Sequence, residues 1–234
     1  MFPTKNAEQF LNAANTAGTI NSQASLATAL KMPEGSIDLF ELRLDAFSET
    51  PEVLLKAIPR LKAPLLITAR HFKEGGQVPL TPARRAALYK AFIPHAALMD
   101  VELRSLQGLK AVVDEARASG VIIIASFHDF KATPRPERLV QMARNAAKSG
   151  VVDIFKVAAL TQTPADVARL LSLFSATKLP LSLMGMGRFG MVSRLLFAQA
   201  GSVINYGFLD AQAKVSGQWP AKVLKQRIAE LAPL

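Results

Sequence analysis

Short apolar, β-prone runs recur along this chain at intervals of about 20 to 30 residues, each followed by a longer stretch with helical spacing. The alternation points to parallel strands joined by helical crossovers, because a parallel neighbour cannot be reached through a tight turn. Eight runs can be placed, at residues 18–21, 37–45, 64–70, 96–103, 121–128, 152–158, 179–185 and 202–208, of which the first is short and polar. Eight βα units within 234 residues match one (β/α)8 TIM barrel and leave no room for a second sizeable domain, so residues 1–234 are read as one domain. An open doubly wound sheet would show the same runs; the count and the polar pattern described below favour closure.

Turn residues support the count. Thr81-Pro82 and Thr163-Pro164 read as helix starts opening residues 83–92 and 165–174, and Gly120 and Gly150 read as helix ends before the fifth and sixth strands. Continuous apolar runs such as Val121-Ile122-Ile123-Ile124 suit strands covered by helices outside and by packed layers inside.

Composition narrows the function classes. The chain has no cysteine, which excludes disulfides, thiolate metal sites and cysteine nucleophiles and fits a reducing, cytoplasmic setting. No apolar run reaches the ~20 residues that span a bilayer, and the first eight residues show no signal-peptide pattern, so neither a membrane nor processing is expected. The formal charge of +10 attracts anions in general. The basic residues are dispersed beside one Trp and two Tyr rather than clustered among aromatics, which argues against a nucleic-acid partner.

Reactive groups in such barrels lie at the C-terminal ends of the strands, and polar residues collect there. Glu41 and Arg43 share a face of the second run. Arg70 ends the third and is followed by Glu74-Gly75-Gly76; Asp100 and Glu102 end the fourth; His128 and Asp129 end the fifth. Any one of these could be a solvated loop residue, and Glu41 with Arg43 could form a structural ion pair. Together they suggest groups that neutralise one another around an anionic ligand.

Lys156 stands out, because Val151 to Leu160 embeds its ammonium in an otherwise apolar strand broken only by Asp153. Such a side chain can snorkel to the rim. If it stays buried near other cations, its pKa falls and the free amine can attack a carbonyl to form an imine. His128 ends a long apolar strand and suits general acid and base work, whereas His71 and His95 read as ordinary loop or surface residues. No histidine pair has helical ligand spacing, so no metal is expected.

Residues 185–190, Gly-Met-Gly-Arg-Phe-Gly, match the dinucleotide fingerprint, and Asp210 stands near the place of a ribose-binding acid. That fingerprint normally opens a fold at its first strand, and here about six βα units precede it. Within a barrel the same glycines would instead let backbone amides approach an anion.

Taken in order, Glu41-Leu42-Arg43-Leu44-Asp45, Thr68-Ala69-Arg70 with Glu74-Gly75-Gly76, Asp100-Val101-Glu102-Leu103, Ser126-Phe127-His128-Asp129-Phe130, Phe155-Lys156-Val157-Ala158, Met184-Gly185 through Ser193-Arg194, and Ser216-Gly217-Gln218 resemble the type I 3-dehydroquinate dehydratases. The resemblance runs from about Ile37 to Trp219. It implies a lyase of the shikimate pathway of aromatic amino-acid biosynthesis, acting on 3-dehydroquinate as a homodimer with no cofactor. It further implies that Lys156 forms the Schiff base, that His128 is the general acid and base, and that Glu74 orients the imidazole. Arg194 would hold the substrate carboxylate, Glu41, Arg43 and Arg70 would bind ring hydroxyls and tune charge, and Gln218 would close the site.

The sequence departs from the family pattern at Lys214, where a serine is common, and at Ser216, where proline is usual. Two other readings of the same residues remain. A class I aldolase would share Lys156 but need a phosphate pocket; a non-catalytic anion-binding barrel would keep the fold without turnover.

Overall fold

In the computed structural model, residues 9–210 and 216–231 are described. Eight parallel strands, β1 (Asn15–Ile20), β2 (Leu39–Arg43), β3 (Leu65–Thr68), β4 (Leu98–Glu102), β5 (Ile122–Asp129), β6 (Ile154–Leu160), β7 (Leu181–Met186) and β8 (Ile204–Phe208), follow the order β7-β6-β5-β4-β3-β2-β1-β8. The two ends of this sheet meet, so the fold is a (β/α)8 barrel and not an open sheet. At the β7–β8 seam the usual ladder is replaced by fewer bonds. Val203 N donates to Leu181 O at 2.8 Å, Leu183 N donates to Ser202 Oγ at 3.0 Å, and Ser182 Oγ donates to Ile204 O at 2.6 Å.

Alternation along each strand divides the core. On β6, Phe155, Val157 and Ala159 face the helices, while Ile154 and Ala158 belong to the barrel interior together with Leu39, Leu66, Leu98, Ile124 and Ile204. Lys156 lies between Ile154 and Ala158 in this alternation, so its side chain enters the barrel.

The helix starts follow the turn residues. Thr81 accepts from Arg84 N before the helix Pro82–Phe92, and Thr163 forms a capping box with Asp166 before Pro164–Leu171, satisfying first-turn amides that have no helical partner. Gly120 and Gly150 take φ of +77° and +67°, the left-handed helix end that glycine adopts without a Cβ clash. β1 begins at Asn15, earlier than the run at 18–21. Its polar start is buried because the Asn15 amide donates to the carbonyls of Gln9, Ala13 and Val203, while Thr16 N donates to Asp38. Among the described residues, no helix is long and apolar enough to cross a membrane.

Candidate active site

A cavity of about 460 Å³ opens at the C-terminal ends of the strands, and Lys156, His128, Glu74, Glu41, Arg43, Arg70, Arg194 and Gln218 all line it. β6 delivers Lys156, β5 delivers His128, β2 delivers Glu41 and Arg43, and the segments after β3 and β8 bring Arg70, Glu74 and Gln218. Arg194 comes from the helix Gly190–Gln199. Lys214 lies outside the described residues.

Lys156 is 3 % exposed, so it does not snorkel to the rim. Its Nζ donates to Asp100 Oδ2 at 2.8 Å and lies 3.8 Å from the centre of the Tyr206 ring. Burial lowers its pKa below the usual lysine value; Arg70 pushes the same way and Asp100 opposes. Burial also works against the Asp100 carboxylate, but Arg70 and Lys156 outweigh it and hold Asp100 well below the usual range. Asp100 further accepts both Arg70 nitrogens, at 3.0 and 2.8 Å, and the Ser126 hydroxyl at 2.5 Å.

The imidazole of His128 places Nδ1 3.2 Å from Glu74 Oε2, and the same oxygen accepts the His128 backbone N–H at 3.0 Å. Burial, reinforced by the cations Arg70 and Lys156, drives the histidine well below its ordinary value, so the ring is neutral at pH 7. Burial and the negative charge of Glu102 push Glu74 up to about 7. In the tautomer whose Nδ1 proton is donated to the Glu74 carboxylate, Nε2 is the free base.

Glu41 and Arg43 do not form the ion pair that their spacing allows. Glu41 accepts hydroxyls from Thr19 at 2.9 Å and Thr68 at 3.0 Å, whereas Arg43 binds Asp45 through two bonds, at 3.0 and 2.9 Å. Arg194 is 2 % exposed, and the partners it has among the described residues are the carbonyls of Gly217 and Tyr206, each at 3.2 Å. Burial pulls its pKa down to about 10. A desolvated guanidinium with no facing carboxylate among the described residues is prepared for an incoming anion.

The glycine motif plays neither of its expected parts. Gly185 N donates to Ser193 Oγ, Gly187 N to Ser216 O, Phe189 N to Thr161 O and Gly190 N to Gly187 O, so these amides are engaged within the chain and no anion nest forms from them. The glycines are required by close packing instead. A Cβ on Gly190 would stand 2.7 Å from the Gly217 backbone. His71 accepts from Lys73 N beside its own loop, and His95 is exposed. Sequence reasoning passed over Tyr206, because its strand carries no charge that would mark it. It also noted Asp100 only as one more rim charge, since nothing local shows that it faces Lys156.

Residues 18–231 match the family model for Type I 3-dehydroquinase. The chain is 34% identical over 205 residues to the 3-dehydroquinate dehydratase of Salmonella paratyphi B, covering 81% of each chain. It is 30% identical over 173 residues to the enzyme of that name from Methanocella arvoryzae, covering 74% of this chain and 78% of that one. Its fold superposes with a TM-score of 0.83, at 26% identity and over 94% of this chain and 93% of the other, on the type I 3-dehydroquinate dehydratase of Clostridium difficile solved with covalently modified comenic acid. A barrel with a buried amine, a neutral imidazole and an anion-ready guanidinium around one cavity, matched over nearly its whole length, belongs to the type I 3-dehydroquinase family.

Proposed function

We propose that the chain converts 3-dehydroquinate to 3-dehydroshikimate and water through an imine at Lys156, with residues 1–234 acting as one catalytic domain. The observation that carries the reading is the pairing, in one cavity, of a buried Lys156 amine with a neutral His128. Lys156 attacks the ring ketone and loses water, and the protonated imine then acts as an electron sink that acidifies the adjacent carbon. His128 Nε2 takes that proton and returns it to the departing hydroxyl, held in orientation by Glu74. Hydrolysis of the imine releases product, so the chemistry calls for no cofactor.

Arg194 receives the substrate carboxylate as a two-bond pair, Glu41, Arg43 and Arg70 surround the ring hydroxyls, and Gln218 closes over the ligand. An aldolase would need a phosphate site, and the amides of Gly185, Gly187, Phe189 and Gly190 are engaged internally. For the implied homodimer, the helix Gly190–Gln199 turns Met191, Val192 and Leu196 outward, a face a second copy could cover. A cytoplasmic location is proposed from the lack of cysteine.

Intact mass spectrometry after borohydride addition, comparing the native chain with Lys156→Ala, tests the imine. A ligand-sized adduct on the native chain alone is expected. A folded native chain with neither adduct nor absorbance from 3-dehydroshikimate returns the protein to the non-catalytic barrel reading.

A further inference from the structure

Lys156 stands at one end of a row of buried charges whose other end leaves the barrel. From the cavity outward the row runs Lys156, Asp100, Arg70, Glu102 and Arg85. The links are 2.8 Å, 2.8 Å and 3.0 Å long, and a direct Arg85–Glu102 contact completes it. None of the five is more than 3 % exposed. Arg85 belongs to the helix Pro82–Phe92 and is not among the residues lining the cavity.

Every guanidinium nitrogen of Arg85 is held. Nε donates to Ala69 O at 2.7 Å, one terminal nitrogen to Ser105 Oγ at 2.9 Å, and the other to Glu102. One turn further along, Tyr89 donates to the Asp100 carbonyl at 2.6 Å and accepts from Ala69 N at 3.0 Å. A single helix face therefore fixes both the backbone and the charges behind the amine.

Charge balance shows what Arg85 does. The carboxylates of Asp100 and Glu102 face two guanidiniums, Arg70 and Arg85, so the four sum to zero without Lys156. With Arg85 removed the remaining three sum to −1, a charge that a proton on Lys156, in contact with Asp100, offsets. Burying an unbalanced charge costs several kcal/mol, which ties the two together. We propose that Arg85, outside the cavity, is a positioning residue that balances the carboxylates behind Lys156 and so frees its amine to attack a carbonyl. The inference rests on the reading of Lys156 as the nucleophile.

The other groups facing Lys156 are Glu41 from β2, His128 from β5, the Tyr206 ring from β8 and Arg194 across the cavity. Around Arg85 they are Glu102 and Arg104 at the end of β4 and His71 after β3. None of these residues is itself replaced in Arg85→Gln, while Glu102 and His71 lose a neighbouring cation.

Acetic anhydride reacts with free amines, so its rate at Lys156, followed by peptide mass spectrometry against pH, titrates the amine without turnover. In Arg85→Gln the midpoint is expected to rise by about one pH unit. Below the midpoint that is about tenfold slower labelling at a given pH. Arg85→Lys, which keeps the charge, should return most of the shift. A folded Arg85→Gln with the native midpoint overturns the proposal, as does an Arg85→Lys that shifts as far as Gln. Should Arg85→Gln fail to fold, Glu102→Gln decides with the opposite sign: loss of an anion should lower the midpoint, and an unmoved or raised one overturns the proposal. Failure of the imine reading shows separately, as a native chain that titrates this way yet forms no adduct with 3-dehydroquinate.

Discussion

The ring of Tyr206 lies 3.8 Å from the Lys156 nitrogen, and the carbonyl of the same tyrosine accepts from Arg194. One residue of β8 thus touches both cations assigned to the substrate. The ring's negative face favours the amine in its charged state and, after condensation, a protonated imine at the same place. Tyr206→Leu is expected to lower kcat about 5- to 30-fold, the equivalent of ~1–2 kcal/mol, while Tyr206→Phe stays within about threefold. Steady-state rates read from product absorbance check this; equal rates for the Phe and Leu variants would show that the ring face contributes nothing.

Arg194 is where ground-state binding should concentrate. Arg194→Met is expected to raise KM about 10- to 100-fold with a much smaller change in kcat, since the contact is made equally before and during reaction. Arg194→Lys should rescue little, because an ammonium cannot present two parallel donors to a carboxylate. A kcat collapse at unchanged KM would move Arg194 from binding to chemistry.

Glu74 predicts a pH dependence of stability. Burial raises its folded pKa from 4.5 to about 7. A raised folded value means the stabilising, protonated form is fully present below pH ~4.5 and is lost as pH rises through about 7. The charged carboxylate therefore weakens the fold above neutrality, by up to about 3 kcal/mol. Glu74→Gln should melt several degrees higher than the native chain at pH 8, with the gap closing near pH 5, and should lose activity at both. Paired thermal melts at the two pH values measure it; a gap independent of pH contradicts the assignment.

Gly190→Ala tests the packing that replaces the expected nucleotide loop. Its Cβ would stand 2.7 Å from the Gly217 backbone, where nothing flexible can yield. A cost of about 1–3 kcal/mol is expected, together with a raised KM, because Gly217 O anchors Arg194 and Gln218 follows it. A variant with native melting temperature and native KM would mean that the loop stands off freely.

The barrel was legible because strand and helix periodicities alternate without interruption, and Lys156 because a charge in an apolar strand is locally anomalous. What escaped was set by distant contacts. β1 starts at Asn15, whose polarity hides a buried strand, since its amide is satisfied by carbonyls as far away as Val203. Arg85 follows the exposed Arg84 on a helix and reads as ordinary surface charge until the fold brings Glu102 against it. The glycines at 185, 187 and 190 read as ligand-facing because sequence cannot distinguish a backbone approaching phosphate from one approaching its own chain, Ser193 and Thr161 at Gly185 and the loop at 216–217 at Gly187 and Gly190.

The seam between β7 and β8 gives Arg194 a second office. Its helix follows β7, yet it reaches across to the Tyr206 carbonyl on β8, beside a junction stitched largely by serine hydroxyls. Among the barrel strands, amide exchange should therefore be fastest along that hem, where β7 and β8 close the sheet. A carboxylate arriving at Arg194 would act as a rivet there. Occupancy and barrel integrity become thermodynamically linked, so saturating ligand should slow exchange at the seam before it affects the opposite wall.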